Sequence, residues 1–253
     1  MCILVFQYNS HPKYKLIVAA NRDEFYHRPT APAHFWEEEP HILAGKDLQK
    51  GGTWLGVNKD GRFVAITNYR DPKLALYGEY SRGNIATRFL KSNQSSKEFI
   101  EELINNKHKY GPFNILAFDG QSLLHYNNYF KESSFIQEGV HCLCNATINT
   151  PWPKVTTLTQ NFKTLMKYPN FEQKQLFQLM LNRTMAQDDL LPSTGVPLEL
   201  ERELSPIFVR REGYGTRCST VVLIDDEKIQ FTERTFTNGE YLYERNFTFP
   251  INK

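Results

Sequence analysis

The apolar positions along the chain repeat with two periods. Residues 2–8, CILVFQY, form a short apolar run rich in strand formers, broken by Asn9, Ser10 and Pro12. Residues 14–20 are almost continuously apolar, the pattern of a strand buried on both faces. The two together predict an N-terminal hairpin with a longer loop. Residues 53–58 and 62–68 flank Lys59-Asp60-Gly61, whose Asp-Gly pair supplies turn chemistry for a second hairpin. Helical period follows. Ser81 is positioned to cap a helix to about residue 91, and Ser95 with Glu98 three residues on is a capping-box match opening a helix to about residue 108. Residues 113–119 and 121–126 read as a strand pair, and 141–147 as a further strand. Helices are expected over 153–167 and 171–182, then a Pro- and Gly-punctuated loop over 188–197. Residues 219–225 and 229–235 predict a last hairpin, with 241–249 as an edge strand. Strands cluster as antiparallel hairpins and helices come in pairs, which is an α+β pattern and not the strict alternation of a doubly wound sheet.

Composition narrows the class. The 253 residues are 40% hydrophobic and 23% charged, an ordinary globular balance with enough length for a sizeable core. A net charge of +2 offers no electrostatic case for nucleic acid or an anionic membrane surface. No apolar run approaches the length of a membrane span, and the N-terminus lacks the layout of a secretory signal. Four cysteines are too few for a disulfide framework, so a reducing, cytoplasmic compartment is expected. Repeats and linkers are absent, and one domain over residues 1–253 is the simpler expectation.

Cys2 carries the first chemical signal. Cysteine is small enough to permit removal of Met1, which would leave a thiol and a free α-amine on one residue. The amine, with a reference pKa of about 7.7–8.0, can act as base near neutral pH, and the thiol as nucleophile. Taken alone, a buried cysteine is more often a small hydrophobe. Asn21-Arg22-Asp23-Glu24 strengthens the chemical reading, because polar residues ending a buried strand are costly unless paired or set at a site edge. Arg22 is placed to stabilise a thiolate, and Asp23 or Glu24 to hold the terminal amine. The competing reading is a solvated loop with local ion pairs.

Several blocks then occur in one order: Met1-Cys2, IVAANRDEFYHRP (17–29), AGKDLQKGGTWLGVNKDGR (44–62), TNYRDP (67–72), SRG (81–83), NATINTPWPKV (145–155), LPSTGV (191–196) and YGTRCST (214–220). In these the chain resembles the NRDE family, also called the transport-and-Golgi-organisation family, over nearly its whole length. The resemblance implies an N-terminal-nucleophile hydrolase fold, a four-layer αββα sandwich of two antiparallel sheets between helical layers. It is similar, more distantly, to the choloylglycine-hydrolase group, which pairs an N-terminal Cys with an Arg and Asp after the second strand, two Asn and a late Arg. Cys2, Arg22, Asp23, Asn68, Asn145 and Arg217 fall in that order and are the catalytic candidates so implied. The group spaces its Arg and Asp three apart, whereas Arg22 is followed at once by Asp23 and Glu24. That departure leaves open which acid serves the terminus.

Asn68 and Asn145 are expected as oxyanion donors through their amides, against a turn or strand-end role. Arg217, just before an apolar strand, is expected to meet Cys2 or a substrate carboxylate, against an ordinary ion pair. Asn21, Glu24, Trp54 and Trp152 are candidates for lining the substrate. The function so implied is cleavage of an amide bond in a small acyl substrate. The alternative is a non-catalytic protein that carries haem or a lipid or acyl-coenzyme A cargo on the same fold. No cofactor is expected, with haem only as cargo. Cys142 and Cys144 with His141 and Cys218 do not have zinc-site spacing, and no metal is expected. His27, His34 and His41 recur every seven residues but are separated by prolines, and GGTWLG (51–56) lacks the Lys-Ser/Thr of a phosphate loop.

Overall fold

The computed structural model describes residues 2–73, 78–168 and 170–252. In chain order its elements are β1 (Cys2–Tyr8), β2 (Leu16–Phe25), β3 (Thr30–Phe35), β4 (Ile42–Asp47), β5 (Leu55–Asn58), β6 (Phe63–Asn68), α1 (Arg82–Lys91), α2 (Ser96–Asn105), β7 (Phe113–Phe118), β8 (Leu123–Asn127), β9 (Glu132–Phe135), β10 (Gly139–Leu143), α3 (Pro153–Leu165), α4 (Gln173–Met180), α5 (Leu198–Glu203), β11 (Arg210–Arg211), β12 (Tyr214–Ile224), β13 (Lys228–Thr237) and β14 (Glu240–Pro250). The chain divides into two compact units, residues 1–27 with 138–248, and residues 28–137 with 249–253. Each holds an antiparallel sheet with helices, so the expected α+β class with two antiparallel sheets is borne out.

In the first unit the sheet runs β10-β1-β2-β12-β13-β14, with β11 on the end of β12. Strand side chains alternate between faces. One face presents Ile3, Val5, Ile17, Ala19, Val221 and Leu223, which pack with Val155, Leu158 and Phe162 of α3 and Leu176, Phe177 and Met180 of α4. Burying each of these larger side chains contributes about 1.5–3 kcal/mol. The opposite face of β1 and β2 begins with Cys2, Leu4 and Phe6 beside Val18, Ala20 and Arg22. Pro153 at the first turn of α3 has the fixed φ and missing N–H that suit a helix start.

In the second unit the sheet order is β3-β4-β5-β6-β7-β8-β9. Ile85, Ala86, Phe89 and Leu90 of α1 and Phe99, Ile100 and Leu103 of α2 close over Val64, Ile66, Ile115, Ala117 and Tyr126. The Ser95–Glu98 capping box forms as the spacing predicts, with Ser95 Oγ accepting from the Glu98 amide and the Glu98 carboxylate from the Ser95 amide. The Lys59-Asp60-Gly61 turn joins β5 to β6, and Gly61 takes the positive φ (+83°) the turn requires.

The differences from the sequence reading are local. The second strand does not stop at Ala20. It continues through the NRDE residues to Phe25, because β12 pairs with it on the other side: Thr216 lies opposite Asp23, Gly215 opposite Glu24 and Tyr214 opposite Phe25. Likewise β12 begins at Tyr214, so Arg217 sits within the strand and not before it. The expected strand over 141–147 ends at Leu143. Strands β3, β4 and β9 and helix α5 carry no clear periodic signal. In β3, Pro32 is tolerated because the strand lies at the sheet edge, where an N–H can be missing.

Candidate active site

The first unit gathers most of the candidate residues at the start of β1. Cys2 lies directly opposite Arg22 in the β1–β2 ladder, and Arg22 lies opposite Cys218 in the β2–β12 ladder. Directly opposed residues share a face, so the thiol, the guanidinium and the second thiol form one cross-strand row. The β12 register shifts between Thr216 and Cys218, which makes Arg217 the extra residue of a bulge. Its Nη1 donates to the carbonyls of Phe25 (2.9 Å) and Tyr26 (3.2 Å), so the guanidinium wraps the end of β2.

Asp23 is almost sealed from solvent, at 2% exposure. Thr216 Oγ1 donates to its Oδ1 at 2.8 Å, and the Val209 amide donates to the same Thr216 hydroxyl at 3.0 Å. That hydroxyl's proton is thereby committed to the carboxylate. Tyr214 Oη donates to the Asp23 carbonyl at 3.2 Å. Burial pushes the Asp23 carboxyl above the usual range, against the pull of Lys154, Thr216 and Arg22. Lys154 is itself buried, its Nζ donating to the Leu204 carbonyl at 2.9 Å.

Burial likewise raises the Cys2 thiol above its ordinary value, and the Asp23 carboxylate adds to the rise. Arg22 and the Asp23 backbone N–H oppose it by favouring thiolate. Cys142 and Cys218 are further from activation: burial holds both well above the ordinary thiol value. Burial and the nearby Asp23 carboxylate and Cys2 raise the Tyr214 phenol, so it stays a hydrogen-bond donor at neutral pH.

Glu24 is half-buried, 3.8 Å from Arg22 through Oε2, and its Oε1 accepts from the Phe25 amide. Asn145 is fully buried, two residues past the Leu4–Leu143 pair. The strand ends at Leu143, so Asn145 lies in the bend that follows β10. Asn21 faces the helices. Its Nδ2 donates to the carbonyls of Met180 (2.8 Å) and Ile207 (3.0 Å), and its Oδ1 accepts from Ser219 (2.6 Å), so the amide ties β2 to α4 on the face opposite the thiol. Trp152 packs against the α3–α4 core. Asn68 and Trp54 belong to the second unit. Asn68 is exposed at the end of β6, opposite Phe113, and the Trp54 carbonyl accepts from the Ile66 amide. Met1 lies outside the described residues. Among the described residues no three His, Cys, Asp or Glu side chains converge as a metal site. Cys142 and Cys144 are instead part of the α3–α4 core.

Tyr214, Thr216 and Lys154 were not singled out by sequence reasoning. A signal for Lys154 exists: with Leu158 and Phe162 it follows an i, i+4, i+8 spacing on the buried face of α3. Tyr214 and Thr216 are recognisable only once β12 is known to pair with β2.

A sequence profile described as Transport and Golgi organisation 2 matches residues 1–238. The chain belongs to the Transport and Golgi organisation 2 family. Within that family it is similar to the Transport and Golgi organization protein 2 homolog of Bos taurus, 33% identical over 262 residues that cover 95% of each chain. The human homolog is 31% identical over 273 residues covering 99% of each. Among solved structures, the C2A mutant of the conjugated bile acid hydrolase from Clostridium perfringens superposes with a TM-score of 0.54, covering 99% of this chain and 92% of that one at 8% identity. At that identity the likeness concerns the fold: this family member has the N-terminal-nucleophile hydrolase type of architecture that the sequence resemblance implied. No helix among the described residues is long and apolar enough to cross a membrane.

Proposed function

We propose that the protein is a cysteine amidohydrolase of the N-terminal-nucleophile kind, active on a small acyl amide once Met1 has been removed. The observation that carries this reading is the register that sets Cys2 against Arg22, with the backbone N–H of Asp23 directed at the thiol. Removal of Met1 creates an α-amine on the nucleophile itself. In its neutral form the amine takes the thiol proton as Sγ attacks the carbonyl carbon. The carbonyl oxygen becomes an oxyanion, for which the Asn145 amide is the candidate donor. The C–N bond then breaks, the amine nitrogen leaves with the proton held by the α-ammonium, and a thioester to Cys2 remains. Water, deprotonated by the same amine, adds to the thioester and releases a carboxylic acid and the thiol.

Each neighbour has a role in this scheme. Arg22 favours thiolate. Asp23, held by Thr216 and Tyr214, holds the α-ammonium in place. Arg217 braces the chain segment that carries both. The likeness to a hydrolase of conjugated bile acids is one of fold alone, and it supports a hydrolase reading without naming the acyl group.

The test is mass spectrometry of the processed protein with a panel of acyl p-nitroanilides of increasing chain length. An acyl adduct on Cys2 that turns over, and that is absent in Cys2→Ala, is the expected result. A processed protein whose thiol is reactive yet takes no acyl group from any amide would overturn the reading in favour of a cargo-binding protein.

A further inference from the structure

Lys154 is a buried cation with no part in the hydrolytic steps. It is the second residue of α3, 5% exposed, on the face that also buries Leu158 and Phe162. Both features of that placement are unfavourable. The first turn of a helix carries the positive end of its dipole, which disfavours an ammonium there. An ammonium withdrawn from water also loses hydration that only an anion or fixed dipoles restore. One such dipole is the Leu204 carbonyl, which caps the end of α5 and accepts from Lys154 Nζ at 2.9 Å.

Leu204 leads directly to Asp23. It packs with Val209 and Tyr214 in one small cluster. The Val209 amide donates to Thr216 Oγ1, which donates to Asp23 Oδ1, and Tyr214 Oη donates to the Asp23 carbonyl. The carbonyl that anchors Lys154 and the residues that hold Asp23 therefore belong to one packed group. Against the burial that raises Asp23, Lys154 favours its ionised form, as do the amine at the chain start and Arg22. Arg22 is shared, standing 3.8 Å from Glu24 and opposite two thiols. Cys2, Tyr26 and Tyr214 meet Asp23 with their protons on, since burial raises all three. Glu201, three residues before Leu204, is buried as well, and its Oε1 accepts from the amide and hydroxyl of Thr194.

We propose that Lys154 is a positioning residue for the Cys2 nucleophile: its buried ammonium, anchored on the Leu204 carbonyl, keeps Asp23 a carboxylate, so that Asp23 holds the α-ammonium of the processed chain. Lys154 acts through Asp23 and does not itself meet the reacting atoms. A carboxyl as deeply buried as Asp23 would otherwise take up a proton and lose its grip on a cationic terminus. The use of that terminus as a base rests on the amidohydrolase reading, whereas the coupling of Lys154 to Asp23 does not.

The experiment is a carbon-13 NMR titration of the full-length, processed protein labelled at its aspartate carboxyls, with Asp23→Asn to assign the resonance. Removing a neighbouring cation raises a carboxyl pKa by about 1–3 units. The Asp23 midpoint is expected to move up by that amount in Lys154→Met and Lys154→Gln, and to stay at the parent value in Lys154→Arg. Lys154→Gln keeps an N–H for the Leu204 carbonyl and carries the test if Lys154→Met unfolds. Alkylation of Cys2 is expected to fall about tenfold at pH 7 in the two uncharged variants and to return to the parent's rate as pH rises through the new midpoint. A midpoint equal in all variants, a parent-like Lys154→Gln, or a shifted midpoint with unchanged alkylation overturns the proposal. A shift in both, in a protein that never forms an acyl adduct, removes the amidohydrolase reading and leaves the role of Lys154 standing.

Discussion

Cys2 and Arg22 face one another across the β1–β2 pair, while Cys218 takes the opposite flank of the same arginine. One guanidinium therefore stands between two buried thiols, yet only Cys2 also has the Asp23 backbone N–H directed at it. Cys218 instead lies against the buried Glu233 carboxylate, which raises its pKa further. The site is asymmetric by construction.

That asymmetry gives the first prediction. With Met1 retained, burial keeps the Cys2 thiol above its ordinary value, so little thiolate exists at neutral pH. Its alkylation should be slow and should still be accelerating above pH 9. Removal of Met1 places a basic amine on the same residue. Processed protein should then be alkylated at least about tenfold faster at pH 7.5, the factor that one pKa unit represents. Stopped labelling with an alkylating probe, followed by intact mass, measures both rates, and Cys2→Ala should lose the fast phase.

Asp23→Asn separates stability from chemistry. The folded-state pKa of Asp23 is raised above its unfolded value. Between those two values the folded state binds more protons, so stability falls as pH rises through the window, and the ionised carboxylate costs stability at neutral pH. Asparagine keeps the acceptor for Thr216 without the charge. The variant should be at least as stable as the parent in urea at pH 7 while losing the fast Cys2 labelling. A variant both less stable and fully reactive would remove Asp23 from the site.

Much of this arrangement was legible in the sequence, but unevenly. The apolar run of β1, the Asp60-Gly61 turn and the Ser95–Glu98 box state their structures locally and form as read, while the strand announced by the apolar run of β2 extends five residues past Ala20. Arg22 and Asp23 were legible as charges too near a buried strand to be idle. Their place inside β2 was not, because the partners that make a buried charged strand tolerable come from β12, nearly two hundred residues later. Arg217 reads as a residue before a strand until the bulge is known. Thr216 and Tyr214 have no distinguishing spacing, and their roles exist only in the register. Asn21 reads as a site residue by adjacency, yet strand alternation turns it towards α4.

Gly215→Ala tests the packing beneath Tyr26. The added methyl group would meet Val209 O and Tyr26 Oη well inside contact distance, and the strand backbone on one side cannot yield. Overpacking of this kind costs about 1–3 kcal/mol. Urea denaturation should show that loss without a change in m-value, and an unaltered midpoint would mean that Tyr26 lies elsewhere.

His125 supplies a pH dependence remote from the thiol. It lies on β8 of the second unit at 4% exposure, its Nε2 3.1 Å from Asn114 Oδ1, which also accepts from Asn127 Nδ2. Burial lowers its pKa from 6.5 to about 4. The imidazole is therefore neutral in the fold and must hold the Nε2 proton to serve Asn114. The sign follows from which state takes up protons. As pH falls below 6.5 the unfolded chain charges His125 while the folded chain resists until about pH 4, so unfolding gains in that interval. Stability should be flat above pH 7 on account of this group and should fall by about 3 kcal/mol between pH 7 and pH 4. His125→Gln keeps an N–H donor and cannot charge. Its urea midpoint should therefore converge on that of the parent, or pass it, as the buffer is acidified. Two curves that run parallel from pH 7.5 to pH 4 would show that the imidazole is not confined as the fold implies.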